Sequence, residues 1–166
     1  WREWEKIPGK IRDCEDSEIA CDHYNRYEED FDLAKKFGHQ VHRFSIEWSR
    51  IEPHMGKWNE REIEHYRKVV QSLIERDIQP MVTLHHFTNP IWFRDMGAWL
   101  NSESPGLFGR YTRKIVDALS DYDIIWNTIN EPMVVVTMGG LYAEFPPGLN
   151  DYAKGLVVAG NLLRAH

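Results

Sequence analysis

Three apolar runs rich in β-branched residues, "QVHRFSI" (40–46), "QPMVTLHH" (79–86) and "DIIWNTIN" (123–130), alternate with stretches that carry the 3.6-residue period of amphipathic helices. This alternation constrains the chain more than any other feature. Antiparallel neighbours can be joined by a tight turn, whereas parallel neighbours need a crossover of a dozen or more residues, and a helix is the usual crossover. The order helix, strand, helix, strand, helix, strand therefore predicts an α/β fold with a parallel sheet.

The helical stretches carry their own punctuation. Tyr24, Tyr27, Phe31 and Ala34 recur at helical spacing through "HYNRYEEDFDLAKKFG", and Gly38 stands where the helix needs a left-handed residue to stop. Asn59 is placed to cap a second helix, with Glu62 three residues on as its capping-box partner and Ile63, Tyr66, Val70 and Leu73 as the buried stripe. Leu107, Tyr111, Ile115 and Leu119 form the stripe of a third helix in "SPGLFGRYTRKIVDALSDY".

Each strand carries its polar chemistry towards its C-terminal end: Arg43 in the first, His85 and His86 in the second, Asn130 and Glu131 in the third. Open α/β sheets and β/α barrels both build their sites at that edge. No strand is followed by a glycine-rich turn of the dinucleotide or P-loop type, so a barrel is the better expectation.

Glu131 is the central candidate. A carboxylate ending a strand of Ile124, Ile125, Trp126 and Ile129 is expected to be partly desolvated, which would raise its pKa from about 4.3 towards the 6 to 7 that suits a general acid; spacing alone equally allows a solvated strand terminus. Pro132 ends the ladder there. Asn130, with an amide that both donates and accepts, suits a sugar hydroxyl. Strict alternation puts Asn130 and Glu131 on opposite faces, so both reach one pocket only if the strand curls or bulges.

His85 and His86 point to opposite faces for the same reason, and no Asp or Glu sits at a familiar ligand spacing, so no metal is expected. One of the pair is expected to face a pocket and the other to pack under a helix. Arg43, mid-strand, calls for a carboxylate partner if buried; a structural ion pair and a catalytic role are both open to it. Most of the seven tryptophans are expected in the core, although the ring suits sugar stacking.

Composition sets the remaining bounds. At 42% hydrophobic and 13% aromatic, 166 residues suffice for a core. A formal charge of −6 with interleaved signs offers no stripe for nucleic acid and no polybasic membrane patch, and no run is long enough to span a bilayer, which favours a cytoplasmic protein. Cys14 and Cys21 fit neither a redox pair nor a zinc spacing and are read as incidental thiols. Oligomeric state is not written in these residues. The opening on Trp1 and the close within the apolar, uncapped "GNLLRAH" are expected to be cuts through a longer chain.

Taken together, "ACDHYNRYEEDFDLAKKFGHQVHRFSIEWSRIEP", "PMVTLHHFTNPIWF", "WNTINEP" and "FPPG" followed by "NLLRAH" resemble, in order and spacing, the first half of glycoside hydrolase family 1, nearest to its prokaryotic and archaeal members. The resemblance implies a (β/α)8 barrel of which residues 1–166 are a partial catalytic domain, about strands two to four with their helices. It implies hydrolysis of O-linked β-glucosides or β-galactosides, or of β-glycosidic oligosaccharides, by a retaining double displacement without a cofactor. Glu131 would be the acid/base, a position that members cleaving S-glycosides tend to fill with Gln. Asn130 would hold the sugar 2-hydroxyl, His86 other sugar hydroxyls, and Arg43 would lie beside the nucleophile. Phe87 departs from the family's usual Trp and so offers a ring face without an N–H donor. The family's nucleophile, a Glu in a Glu-Asn-Gly motif, has no counterpart in these residues, so on their own they are expected to be inactive. A 6-phospho-β-glycosidase, another barrel glycosidase of the same clan and a non-catalytic sugar-binding segment are the alternative readings.

Overall fold

A computed structural model describes all of residues 1–166. Its three strands, β1 (Val41–Ser45), β2 (Gln79–His85) and β3 (Ile125–Ile129), form one sheet in the order β1-β2-β3, and both pairings are parallel. Register places Arg43 beside Met81, Ser45 beside Thr83, Thr83 in turn beside Asn127, and His85 beside Ile129. The helices are α1 (Arg2–Glu5), α2 (His23–Lys36), α3 (Trp48–Ile51), α4 (Glu60–Ile74), α5 (Ile91–Asp95), α6 (Ser104–Ala118), α7 (Pro132–Val134) and α8 (Tyr152–Ala165). A π-helix, Val135–Leu141, continues α7.

α2 ends as its sequence dictates. Gly38 takes φ +77°, its N–H donates to Lys35 O, and the next N–H, from His39, reaches back to Ala34 O, which together make a Schellman cap. α4 begins at Asn59, whose Oδ1 accepts from Glu62 N. The other half of the expected capping box is not made. Asn59 N–H already donates to Ile51 O, which frees the Glu62 carboxylate to accept from Tyr24 OH on α2 at 3.0 Å to each oxygen.

Helices cover one face of the sheet. Val82, Leu84 and Ile46 meet Val70 of α4 and Phe108, Tyr111 and Ile115 of α6, and Phe31 and Ala34 of α2 join Val69, Leu73 and Ile78 in a smaller cluster. The stripe of α6 runs through Phe108 rather than Leu107, which is only half-buried. Tyr111 sends its hydroxyl through this core to donate to Leu84 O at 3.1 Å. On α8, Gly155 has no side chain where Gly140 of the π-helix comes against it: a Cβ on Gly140 would lie 3.2 Å from Gly155 Cα. The opposite face of the sheet is open, with Val41, Arg43 and Ser45 all exposed along β1. No helix is long and apolar enough to cross a membrane.

Candidate active site

At the C-terminal edge of the sheet, β2 and β3 end in the same way. Two residues beyond the register pair His85 and Ile129 stand Phe87 and Glu131, and both are left-handed, with φ of +69° and +42°. The left-handed region costs an L-residue about 1–2 kcal/mol, so two such residues at adjacent strand ends are a local strain that the surroundings must hold in place. At β3 the turn breaks the alternation that would have separated Asn130 from Glu131. It also serves as the N-cap of α7, where Pro132 opens the helix and Val134 N–H donates to Glu131 O.

The first consequence is seen at Asn130. The residue is buried, its N–H donates to His85 O, and its Oδ1 accepts from Arg43 Nη2 at 2.5 Å, across β2. The same guanidinium donates through Nε to Thr83 Oγ1 at 2.8 Å. The carboxylate partner expected for Arg43 is not among these residues. The open face leaves the guanidinium exposed to solvent, and two neutral acceptors take its donors.

The histidine pair divides between the two faces. His85 is 1% exposed, edge-on to Trp99 and Phe108, with Nε2 3.1 Å from Asn89 Oδ1. Burial holds its pKa down at about 4, so at neutral pH it is an uncharged part of the core. His86 is exposed at the open face and lines a cavity of about 490 Å³ with Arg43, Ser45, Phe44, His23 and His42. Desolvation of its ring lowers its pKa, Arg43 pushes the same way, and the Glu131 carboxylate pulls against them. The ring of Phe87 lies 5.0 Å from that of His86 and 6.2 Å from that of Phe145.

Glu131 itself lies exposed, which corrects the expectation of a desolvated carboxylate: within these residues the open face leaves it in solvent. A second carboxylate at this edge escaped the sequence reading. Glu47, just past β1, accepts from Ser49 N and Oγ through Oε1 and from Thr88 Oγ1 through Oε2. It is the N-cap of α3, two residues past the end of β1, and because Glu is not among the residues that favour that position no local pattern singled it out. Cys14 and Cys21 are free and exposed.

The model of glycosyl hydrolase family 1 matches residues 1–166. Over the whole chain the sequence is 38% identical to beta-glucosidase A of Acetivibrio thermocellus, of which it covers 37%. The fold superposes with a TM-score of 0.97 on the beta-glucosidase from Thermotoga maritima in complex with glucoimidazole, at 36% identity over the whole of this chain and 38% of that one. A beta-glycosidase from Pyrococcus horikoshii matches 88% of this chain and 34% of its own at 42% identity, with a TM-score of 0.83. The chain thus spans under two fifths of the length of the relatives it matches, and its three strands with their helices are part of a (β/α)8 barrel.

Proposed function

Because this chain belongs to glycosyl hydrolase family 1, we propose that it forms a partial catalytic domain of a retaining β-glycosidase that hydrolyses O-linked β-glucosides or β-galactosides. The observation that carries this reading is the left-handed turn at Glu131, which follows the Arg43–Asn130 hydrogen bond directly in the chain and brings a carboxylate to the edge where His86 lies. The relative solved with glucoimidazole supports a glucose-like ring as the ligand of this edge.

The roles follow from the donors each group owns. Glu131, protonated, gives its proton to the leaving glycosidic oxygen and, once ionised, takes one from the attacking water. Asn130 meets the sugar 2-hydroxyl and orients it, so that the hydroxyl's own O–H, which becomes a stronger donor as positive charge grows at the anomeric carbon, is free to donate to a carboxylate. With Oδ1 occupied by Arg43, its NH2 group is the part left for the sugar, so the ring hydroxyl accepts. His86 binds further hydroxyls as a neutral imidazole, and Phe87 offers a ring face.

Retention needs a nucleophile about 5 to 5.5 Å from the acid. Glu47 does not fill that role, since both its oxygens are already held, Oε1 by Ser49 and Oε2 by Thr88. The nucleophile belongs to a segment beyond these residues, beside Arg43, and residues 1–166 alone are expected to be inactive.

The test is Glu131→Gln in the full-length protein. Turnover of an alkyl β-glucoside, whose leaving group needs the proton, should fall by about 10² to 10⁴, while glycosylation by 2,4-dinitrophenyl β-glucoside should fall by about tenfold or less. Equal losses on both substrates, or none, count against Glu131 as the acid.

A further inference from the structure

The two left-handed strand ends are held by different means. At β3, Glu131 is followed at once by helix, and its carbonyl accepts from the first turn of α7. At β2 there is no helix to do this. Phe87 stands at the centre of a three-residue turn closed by Thr88 N–H to His86 O at 2.9 Å, and with φ +69° this is the rare, strained form of the γ-turn. The next helix, α5, starts only at Ile91. Something else must hold the turn that aims His86 and Phe87.

We propose that Glu47 is a positioning residue of the sugar site and that it acts through Thr88 on this turn. The proposal rests on the glycosidase reading above and extends it to a residue that touches no substrate. Its two carboxylate oxygens have separate tasks. Oε1 caps α3 by accepting from Ser49 N at 3.1 Å and Ser49 Oγ at 2.7 Å. Oε2 accepts from Thr88 Oγ1 at 2.6 Å, the only side-chain hydrogen bond that Thr88 makes.

Glu47 is itself anchored on the helical side of the sheet. Its N–H donates to the hydroxyl of Tyr66, a buried residue of α4, and the adjoining Trp48 is wholly buried among Phe93, Phe108 and Tyr111. The chain of contacts therefore runs from the core through Glu47 to Thr88, the last residue of the turn that carries the two sugar-facing side chains. A charge-assisted hydrogen bond of this length is among the stronger kinds available to hold a strained turn.

The experiment uses the full-length protein and 4-nitrophenyl β-glucoside. Thr88→Val keeps the shape of the side chain and removes only the donor. KM is expected to rise about tenfold, equivalent to about 1.4 kcal/mol of lost ground-state binding, with kcat changed less than about threefold and the thermal midpoint within about 2 °C of the parent. Thr88→Ser, which restores the hydroxyl, should bring KM back to within about twofold of the parent. Glu47→Ala should raise KM similarly, lower the midpoint as well because the cap of α3 is lost, and add nothing further to KM when combined with Thr88→Val. An unchanged KM in Thr88→Val, or a Ser variant no better than Val, overturns the proposal. Failure of the parent protein to hydrolyse the substrate overturns the glycosidase reading and this one with it, whereas turnover by the parent with KM unmoved in Thr88→Val sinks this proposal alone.

Discussion

The two faces of the sheet carry the same kinds of residue in opposite states. On the helical side an arginine, Arg110, meets the wholly buried Glu52, and both carboxylate oxygens are engaged: Trp48 Nε1 donates to Glu52 Oε2 at 3.0 Å, Gly56 N to Oε1 at 2.6 Å, and Arg110 Nη2 to Oε1 as well. On the open side Arg43 touches only neutral oxygens. One histidine is sealed beneath Trp99 and Phe108, while its neighbour in sequence stands in the cavity. The helical face is packed and is there to hold, even though His85 Nδ1, Trp99 Nε1 and Arg110 Nε lie buried there without a partner; the open face keeps its polar groups in reach of solvent and is there to bind. Substitutions on the first should therefore move stability, and those on the second should move activity.

The largest shift in stability is expected from Arg110→Met, which strips the cation from a carboxylate with no access to water. Breaking such a pair one-sidedly costs about 3–5 kcal/mol, read as a lower midpoint in urea followed by tryptophan fluorescence. Leu84→Ala, a cavity at the centre of the same face, should cost about 2–5 kcal/mol. A loss below about 1 kcal/mol in either would mean that this face is not the one that holds the fold.

His85 sharpens the comparison through pH. Its folded pKa of about 4 lies below the unfolded value near 6.5, so between those limits the unfolded chain binds the extra proton. The neutral, buried ring therefore favours the fold fully above about pH 6.5, and that advantage fades as pH falls towards 4, by about 3 kcal/mol in all. His85→Gln should flatten this part of the stability curve: the difference between variant and parent should shrink by about 2–3 kcal/mol from pH 7 to pH 4.5 in urea titrations. An unaltered slope would place the ring in solvent.

Much of this could be read before any coordinates. The period of 3.6 in the helical stretches gave α2, α4 and α6, and the β-branched runs gave three parallel strands, because burial against a common sheet imposes both patterns. The divided fate of His85 and His86 followed from strand alternation. Three things escaped. The Glu62 half of the capping box was lost to Tyr24, a partner 38 residues away that no local pattern reveals. Desolvation of Glu131 was inferred from its apolar neighbours in sequence, but exposure is set by what lies across the sheet, and here nothing does. Glu47 was passed over because its partner, Thr88, follows a different strand, and only the parallel register brings the two ends together.

The smallest change in stability, and the clearest break between the faces, is expected from Arg43→Met. The side chain is exposed and its partners are neutral, so the fold should lose about 1 kcal/mol or less. Activity should respond differently, because the guanidinium spans from Thr83 on β2 to Asn130 at the end of β3 and fixes which way the Asn130 amide faces. Without it the amide is free to turn its oxygen towards the sugar, and kcat/KM for 4-nitrophenyl β-glucoside should fall by about 10²-fold. Arg43→Lys should not rescue it, since Nε and Nη2 form a fork that engages both oxygens at once and a single ammonium on a flexible stem cannot. Full activity in the Lys variant would reduce Arg43 to a source of positive charge and remove the orientation of Asn130 from its role.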